Sequence, residues 1–283
     1  MNKQNVFRTA VLIAFGMFSS MGFAQKILAP APSPLQTVNQ KFGLGEITVE
    51  YSRPAARGRV VFGEVVPFDK IWRTGANNTT KITFTDDVTL EGIAVKAGTY
   101  GIYTIPHKTS WEIMLTSDLE LGGNVNDYKI DKEVARIKVI TEKTGRKIES
   151  FTIEFDNVLP TSAMMTLAWE NTSAPIKITT DIDARVMRSI EESMKSPKPE
   201  YFRAATYYFE NGKDLKKALD WATKATNENP KAYYMMLLKA KIEYALGDKK
   251  AGNASAEKVI SLAKEAKSDD YVRMATELMA ANK

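Results

Sequence analysis

Residues 51–80 read YSRPAARGRVVFGEVVPFDKIWRTGANNTT, the densest run of Arg, Gly and Pro in the chain. The run grows out of a strand. Ile47, Val49 and Tyr51 alternate with Glu46, Thr48 and Glu50, the period-two pattern of a half-buried strand. Pro54 lacks a backbone N–H and ends that ladder. Arg53, Arg57, Arg59 and Arg73 then place four guanidiniums in a window whose only acids are Glu64 and Asp69, with Lys70 nearby. Guanidinium forks suit carboxylate or phosphate. Gly75-Ala76-Asn77-Asn78 is a turn signal, because Gly and Asn tolerate positive φ.

Two readings of this stretch compete. In one, Arg53, Arg59, Trp72, Arg73, Asn77 and Asn78 line a site for an anionic or glycan-like ligand. In the other, the guanidiniums bind turn carbonyls or Glu64 and Asp69, staple an irregular loop to its scaffold, and leave Trp72 in the core.

Outward from the stretch, short alternating runs recur. They are Ile82/Phe84, Val88/Leu90, Ile93/Val95, Tyr100/Ile102, Trp111/Ile113/Leu115, Ile137/Val139, Phe151/Ile153/Phe155, Met165/Leu167/Trp169 and Ile176/Ile178. About nine short strands with turn signals between them indicate an antiparallel β-sandwich or barrel over 36–181. Leu119 to Tyr128, polar and rich in Gly and Asn, reads as a loop of the kind that carries binding function. The run SRPAARGRVVFGEVVPFDKIWRTGANNTTKITF, then AGTYGIYTIP, Trp111 and the later TLAWENT, resembles the bacterial family known as domain of unknown function 2911. The resemblance spans about residues 36–180. It implies an exported protein, often with a helical tail, and it brings no catalytic residue to this chain.

Near Ile182 the hydrophobic period changes from two to about 3.6. Val186, Met187, Ile190 and Met194 share one helical face behind Asp183, a candidate N-cap, and Ser196-Pro197-Lys198-Pro199 ends the helix. Residues 182–198 therefore read as a connecting helix and linker. From 199 to 283 the chain resembles tetratricopeptide-like helical hairpins: large residues in a first helix, Ala in the second, and a closing Pro230. Lys239 and Glu243 depart from that pattern. The fold class expected is thus α+β in two domains, a sandwich followed by helical hairpins. The functional reading of the tail is a groove for a protein partner lined by Tyr207, Tyr208, Tyr233 and Tyr234; packing is the alternative.

At the N-terminus, Lys3 and Arg8 precede the apolar run 10–18, and Gly22-Phe23-Ala24 offers a cleavage site. Residues 1–24 read as a signal peptide and 25–35 as a flexible leader, which implies a periplasmic or secreted protein. No Cys is present, which excludes disulfides and thiolate metal sites. The formal charge is +5 and falls to +3 without Lys3 and Arg8, too mild and dispersed to indicate nucleic acid. No later run is apolar enough for a transmembrane helix. His107 is the single His and stands in a turn, so neither a His-based zinc site nor a Ser-His-Asp triad is indicated. Asp86-Asp87 and Asp181/Asp183 read as turn and cap residues, no metal site is assigned, and no cofactor motif appears. The expected function is a non-enzymatic envelope protein that binds a ligand through the sandwich and a partner through the tail. The alternative is a glycan or ester hydrolase using paired carboxylates drawn from Glu46, Glu50, Glu64, Asp69 and Glu170.

Overall fold

A computed structural model describes residues 29–283. The expected signal peptide, 1–24, and the first part of the leader lie outside the described residues. The chain divides into two compact units, one ending at Asp181 and the other running from Ile182 to Lys283.

The first unit holds ten antiparallel strands among the described residues. They are β1 (Leu35–Phe42), β2 (Gly45–Ser52), β3 (Ala76–Phe84), β4 (Val88–Leu90), β5 (Ile93–Val95), β6 (Gly98–Pro106), β7 (Ser110–Thr116), β8 (Glu133–Ile140), β9 (Glu142–Asp156) and β10 (Ser162–Thr179). They form two sheets of order β1-β2-β3-β6-β7-β8 and β5-β4-β10-β9. Neither sheet closes on itself, so the unit is a sandwich. Alternation decides which side chains meet between the layers. Ile47, Val49 and Tyr51 of β2, Ile82 of β3 and Ile113 of β7 join Phe151 and Ile153 of β9 and Leu167 and Ile176 of β10 in one core.

Two elements differ from the sequence reading. Leu35 opens a full strand instead of closing a leader, and β1 pairs with β2 from Leu35↔Ser52 to Phe42↔Gly45. Its sequence, LQTVNQKF, lies on a sheet edge and puts Gln36, Val38 and Gln40 on its partly buried face, so it carries little hydrophobic alternation. Conversely, the two runs Met165–Trp169 and Ile176–Ile178 belong to one strand, β10. Its pairing with β9 shifts register on both sides of Glu170, whose φ is +55°, and this bulge breaks the alternation that would have joined them.

The second unit comprises α1 (Asp183–Met194), α2 (Tyr201–Glu210), α3 (Leu215–Glu228), α4 (Tyr233–Ala245), α5 (Lys249–Glu265) and α6 (Asp269–Ala281). The pairs α2–α3 and α4–α5 are helical hairpins, and α6 follows as a closing helix. Asp214 caps α3 by accepting from the Lys216 and Lys217 amides, and Asp248 caps α5 through the Ala251 amide. Helix α1 is more than a connector. Val186, Met187, Ile190 and Met194 pack against Ala205, Tyr208 and Trp221. Asp183 is not the N-cap; Ile182 holds that position without a side-chain cap bond. The Asp183 carboxylate instead accepts from the Tyr207 hydroxyl and the Lys213 ammonium, at 2.8 Å each. Lys239 and Glu243, which break the repeat pattern, form an i,i+4 ion pair in which Glu243 is buried.

Candidate functional site

The stretch after β2 straps across the sandwich, and its polar groups show how. The Tyr51 hydroxyl accepts from the Ile153 amide at 2.8 Å and lies 3.3 Å from the Ile153 carbonyl, which ties β2 to the opposite sheet. Burial raises the Tyr51 pKa above the ordinary tyrosine value. Two residues on, Arg53 donates from Nε to the Phe151 carbonyl at 3.0 Å and from Nη2 to Thr152 Oγ1 at 2.7 Å. Arg57 donates to the Pro32 carbonyl, and its amide to Glu149. Arg59 turns back on its own loop, donating to the Ala56 and Ala55 carbonyls at 3.0 and 2.9 Å. Arg57 and Arg59 thus satisfy carbonyls of irregular segments, and Arg53 ties the stretch to β9.

Trp72 is anchored from both sides. Its backbone exchanges two hydrogen bonds with Thr104, and its indole donates to the Gly75 carbonyl at 3.2 Å. The ring stacks on Trp169 at 5.8 Å between centroids and 23° between planes, and meets Phe62, Trp111 and Phe151 edge-on. This aromatic cluster is part of the core. Gly75, at φ +146°, passes so close to β2 that a Cβ there would lie 2.9 Å from the Ser52 carbonyl oxygen. Asn77, at φ +58°, donates to the Ser33 carbonyl and to Ser52 Oγ.

Arg73 differs from the other guanidiniums. Its one hydrogen bond is a 3.5 Å contact to the Asn77 carbonyl, and it has no ion pair among the described residues. It lies against Gly123, where a Cβ would come within 1.8 Å of Nη1. With Lys70, Val65, Val66 and Val125 it lines a cleft of about 200 Å³ that contains no carboxylate. Asn78 faces a different, smaller cleft of about 150 Å³ with Glu50, Lys81 and Glu120. The six residues expected to form one site are therefore divided. Arg53, Arg59 and Asn77 bond to the protein itself, Trp72 joins the core and adds one wall of the Arg73 cleft, and Asn78 stands apart. The Leu119–Tyr128 loop, expected to carry function, does border both clefts. The Tyr103 hydroxyl donates to the Gly122 carbonyl at 2.9 Å and the Gly122 amide donates to Thr79 Oγ1 at 2.8 Å, which fixes the loop in place.

Three of the five acids considered for hydrolysis are engaged separately. Glu46 pairs with Lys41, which lowers its pKa, Glu170 accepts from the Val61 amide, and Asp69 pairs with His107. The lone His107 is less isolated than its sequence suggests. Nδ1 meets Asp69, Nε2 lies 3.3 Å from Glu112, and Arg136 closes the chain on Glu112 at 2.6 Å and on Glu133 at 2.5 Å. The Arg136 hydrogen bond, more than the His107 contact, holds the Glu112 carboxyl below its ordinary pKa. The β6–β7 hairpin and its pairing with β8 make this row, bringing together residues from three separate stretches. Both imidazole nitrogens face carboxylates, so neither is turned to a nucleophile. Among the described residues no group of three or more His, Asp or Glu has metal-holding geometry.

The four tyrosines of the tail do not share one groove. Tyr208 is buried with its ring 4.8 Å from Trp221, while Tyr207 holds Asp183. Tyr233 packs on Tyr271 at 4.8 Å, and Tyr234 on Phe202 at 5.4 Å.

The family described as protein of unknown function DUF2911 matches residues 33–178, which is the strapped sandwich from the start of β1 almost to the end of β10. The chain belongs to the DUF2911 family. No curated protein and no solved structure matches it. The DUF2911 match ends before α1, so the helical unit lies beyond the part of the chain that defines the family. No described helix is long and apolar enough to cross a membrane.

Proposed function

We propose that this DUF2911 protein is an exported, non-enzymatic binding protein of the bacterial envelope, whose sandwich takes a small anion with an apolar body in the Lys70/Arg73 cleft. One observation carries the reading. Arg73 is the signature guanidinium left without a strong partner, and it faces a cleft with a second cation, aliphatic walls and no acid. Glycan stacking is not part of this reading, because the Trp72 ring is committed to its aromatic neighbours. Export is supported by the basic, apolar and small-residue succession of residues 1–24. The helical unit supplies protein contacts.

The test is NMR titration of the mature protein with hexanoate, benzoate and phosphate, observing the Trp72 indole N–H. Hexanoate or benzoate is expected to shift that signal in the native protein and not in Arg73→Ala. Gly123→Ala, which displaces the guanidinium, is expected to weaken binding without unfolding the protein. A Trp72 signal unmoved by all three anions, or moved equally in Arg73→Ala, refutes the assignment.

A further inference from the structure

The helical unit contains a second cationic cleft, made differently from the first. Helices α1, α2 and α3 enclose about 400 Å³ between them. Its aromatic lining is Tyr201, Tyr208 and Trp221, and its rim carries the ammonium groups of Lys195, Lys217 and Lys224. Lys217 Nζ stands 5.0 Å from the Trp221 ring centroid and 5.5 Å from that of Tyr208, while Lys224 Nζ stands 5.5 Å from that of Tyr201. Against these three cations the cleft presents one acid, Glu191. Lys224 is paired with Asp220 at 2.8 Å, but Lys195 and Lys217 form no ion pair among the described residues.

A packing role alone accounts for part of this. Tyr208 and Trp221 close the core of the first hairpin, and a lysine stem lying over an aromatic ring shields it from water. It does not account for an open cleft of this volume, nor for Lys195 and Lys217 standing at its rim without an ion pair among the described residues. Like charges on one rim repel, and an arriving carboxylate relieves that repulsion. The volume lies in the range that accepts one large anchored side chain with its flanking backbone. Aromatic faces within the cleft suit a large apolar or aromatic side chain, and the lysines suit carboxylates on either side of it.

We propose that this cleft docks an acidic peptide segment of a partner protein, an aromatic anchor flanked by Asp or Glu. The inference rests on the reading of the helical unit as the protein-contacting part and specifies the chemistry of its partner. It is independent of the sandwich cleft, and the two have separate reporters. Trp221 is the one tryptophan of the helical unit, whereas Trp72, Trp111 and Trp169 belong to the sandwich.

The experiment titrates the mature chain with a synthetic peptide in which one Phe is flanked on each side by two Glu, with a Lys-flanked control peptide and with free phenylacetate. The readout is the Trp221 indole N–H signal, assigned with Trp221→Phe. The Glu-flanked peptide is expected to move Trp221 and leave Trp72 in place, with affinity that falls as salt rises. The double variant Lys195→Glu/Lys217→Glu is expected to weaken binding by about tenfold or more. Lys216→Glu/Lys250→Glu, the same change of net charge at exposed positions outside the cleft, is expected to leave binding nearly unchanged. An unmoved Trp221, equal binding of the Lys-flanked peptide, or equal loss in both double variants overturns the proposal. Phenylacetate moving Trp221 as strongly as the peptide overturns it in favour of a small-molecule site. Failure here leaves the Trp72 response, and with it the sandwich reading, to stand or fall separately.

Discussion

The Lys239–Glu243 pair offers a quantitative test of how the second hairpin is held. Glu243 lies on α4 with 5% of its side chain exposed, and Lys239, one turn earlier, with 20%. Lys239 also donates to Ser255 Oγ on α5 at 3.3 Å, so it links the two helices. The second carboxylate oxygen, Glu243 Oε2, is buried without a hydrogen-bond partner. Lys239→Ala removes the cation and leaves a desolvated carboxylate. Stranding one partner of a buried pair costs about 3–5 kcal/mol, and the residual exposure of Lys239 places this case near the lower end, about 3 kcal/mol. At roughly 4–8 °C per kcal/mol for a unit of this size, the helical transition moves down by on the order of 15 °C. The double substitution Lys239→Met/Glu243→Leu removes both charges and keeps the volume, so it is expected to equal or exceed the native stability. Urea unfolding followed by far-ultraviolet circular dichroism, with Lys239→Met, Glu243→Leu and the double beside Lys239→Ala, closes the cycle. A single-variant loss below about 0.5 kcal/mol is the behaviour of an exposed i,i+4 pair and refutes the reasoning.

Other expectations follow from the strapped sandwich. Burial raises the pKa of Tyr51 and of Tyr103, so each binds its proton more tightly when folded than when unfolded. Their contribution is intact below the unfolded value of about 10 and is lost as pH rises above it; the part of the tyrosinate absorbance that Tyr51→Phe and Tyr103→Phe remove should therefore appear together with alkaline unfolding, not before it. Tyr51→Phe deprives the buried Ile153 amide of its acceptor and should cost about 1–3 kcal/mol in chemical unfolding, with the core aromatic signals retained. Gly75→Ala combines an unfavourable φ with a 2.9 Å approach to the Ser52 carbonyl, and should lower stability by more than about 1 kcal/mol; a neutral result would mean that the turn relaxes freely.

The layers of the fold were largely legible because burial writes a period into the sequence. Ile47, Val49 and Tyr51 alternate because β2 has one buried face, and the shift to helical spacing at Val186 marks the change of unit. Strand β1 was hidden because an edge strand whose partly buried face carries Gln36 and Gln40 has little such hydrophobic period, and β10 appeared as two strands because the bulge at Glu170 reversed it. The candidate site was legible only as a composition. Arg53 and Arg73 are the same residue type in the same stretch, and what separates them is the position of β9 beneath one and of Gly123 beside the other. Those neighbours are distant in sequence. The Asp69–His107–Glu112–Arg136 row was hidden for the same reason, since pairing of β6, β7 and β8 assembles it. The lysine and aromatic cleft of the tail was within reach. Lys217, Trp221 and Lys224 are spaced for one face of α3, and Tyr208 was already singled out in the sequence.

The signature divides into a strap and one weakly held guanidinium, Arg73. Chemical unfolding of Arg53→Ala beside Arg73→Ala tests that division directly. Arg53→Ala removes two charge-assisted hydrogen bonds to β9 and is expected to cost about 2–4 kcal/mol. Arg73→Ala removes one 3.5 Å contact and is expected to cost less than about 1 kcal/mol. A large loss for Arg73→Ala, or a negligible one for Arg53→Ala, contradicts the account.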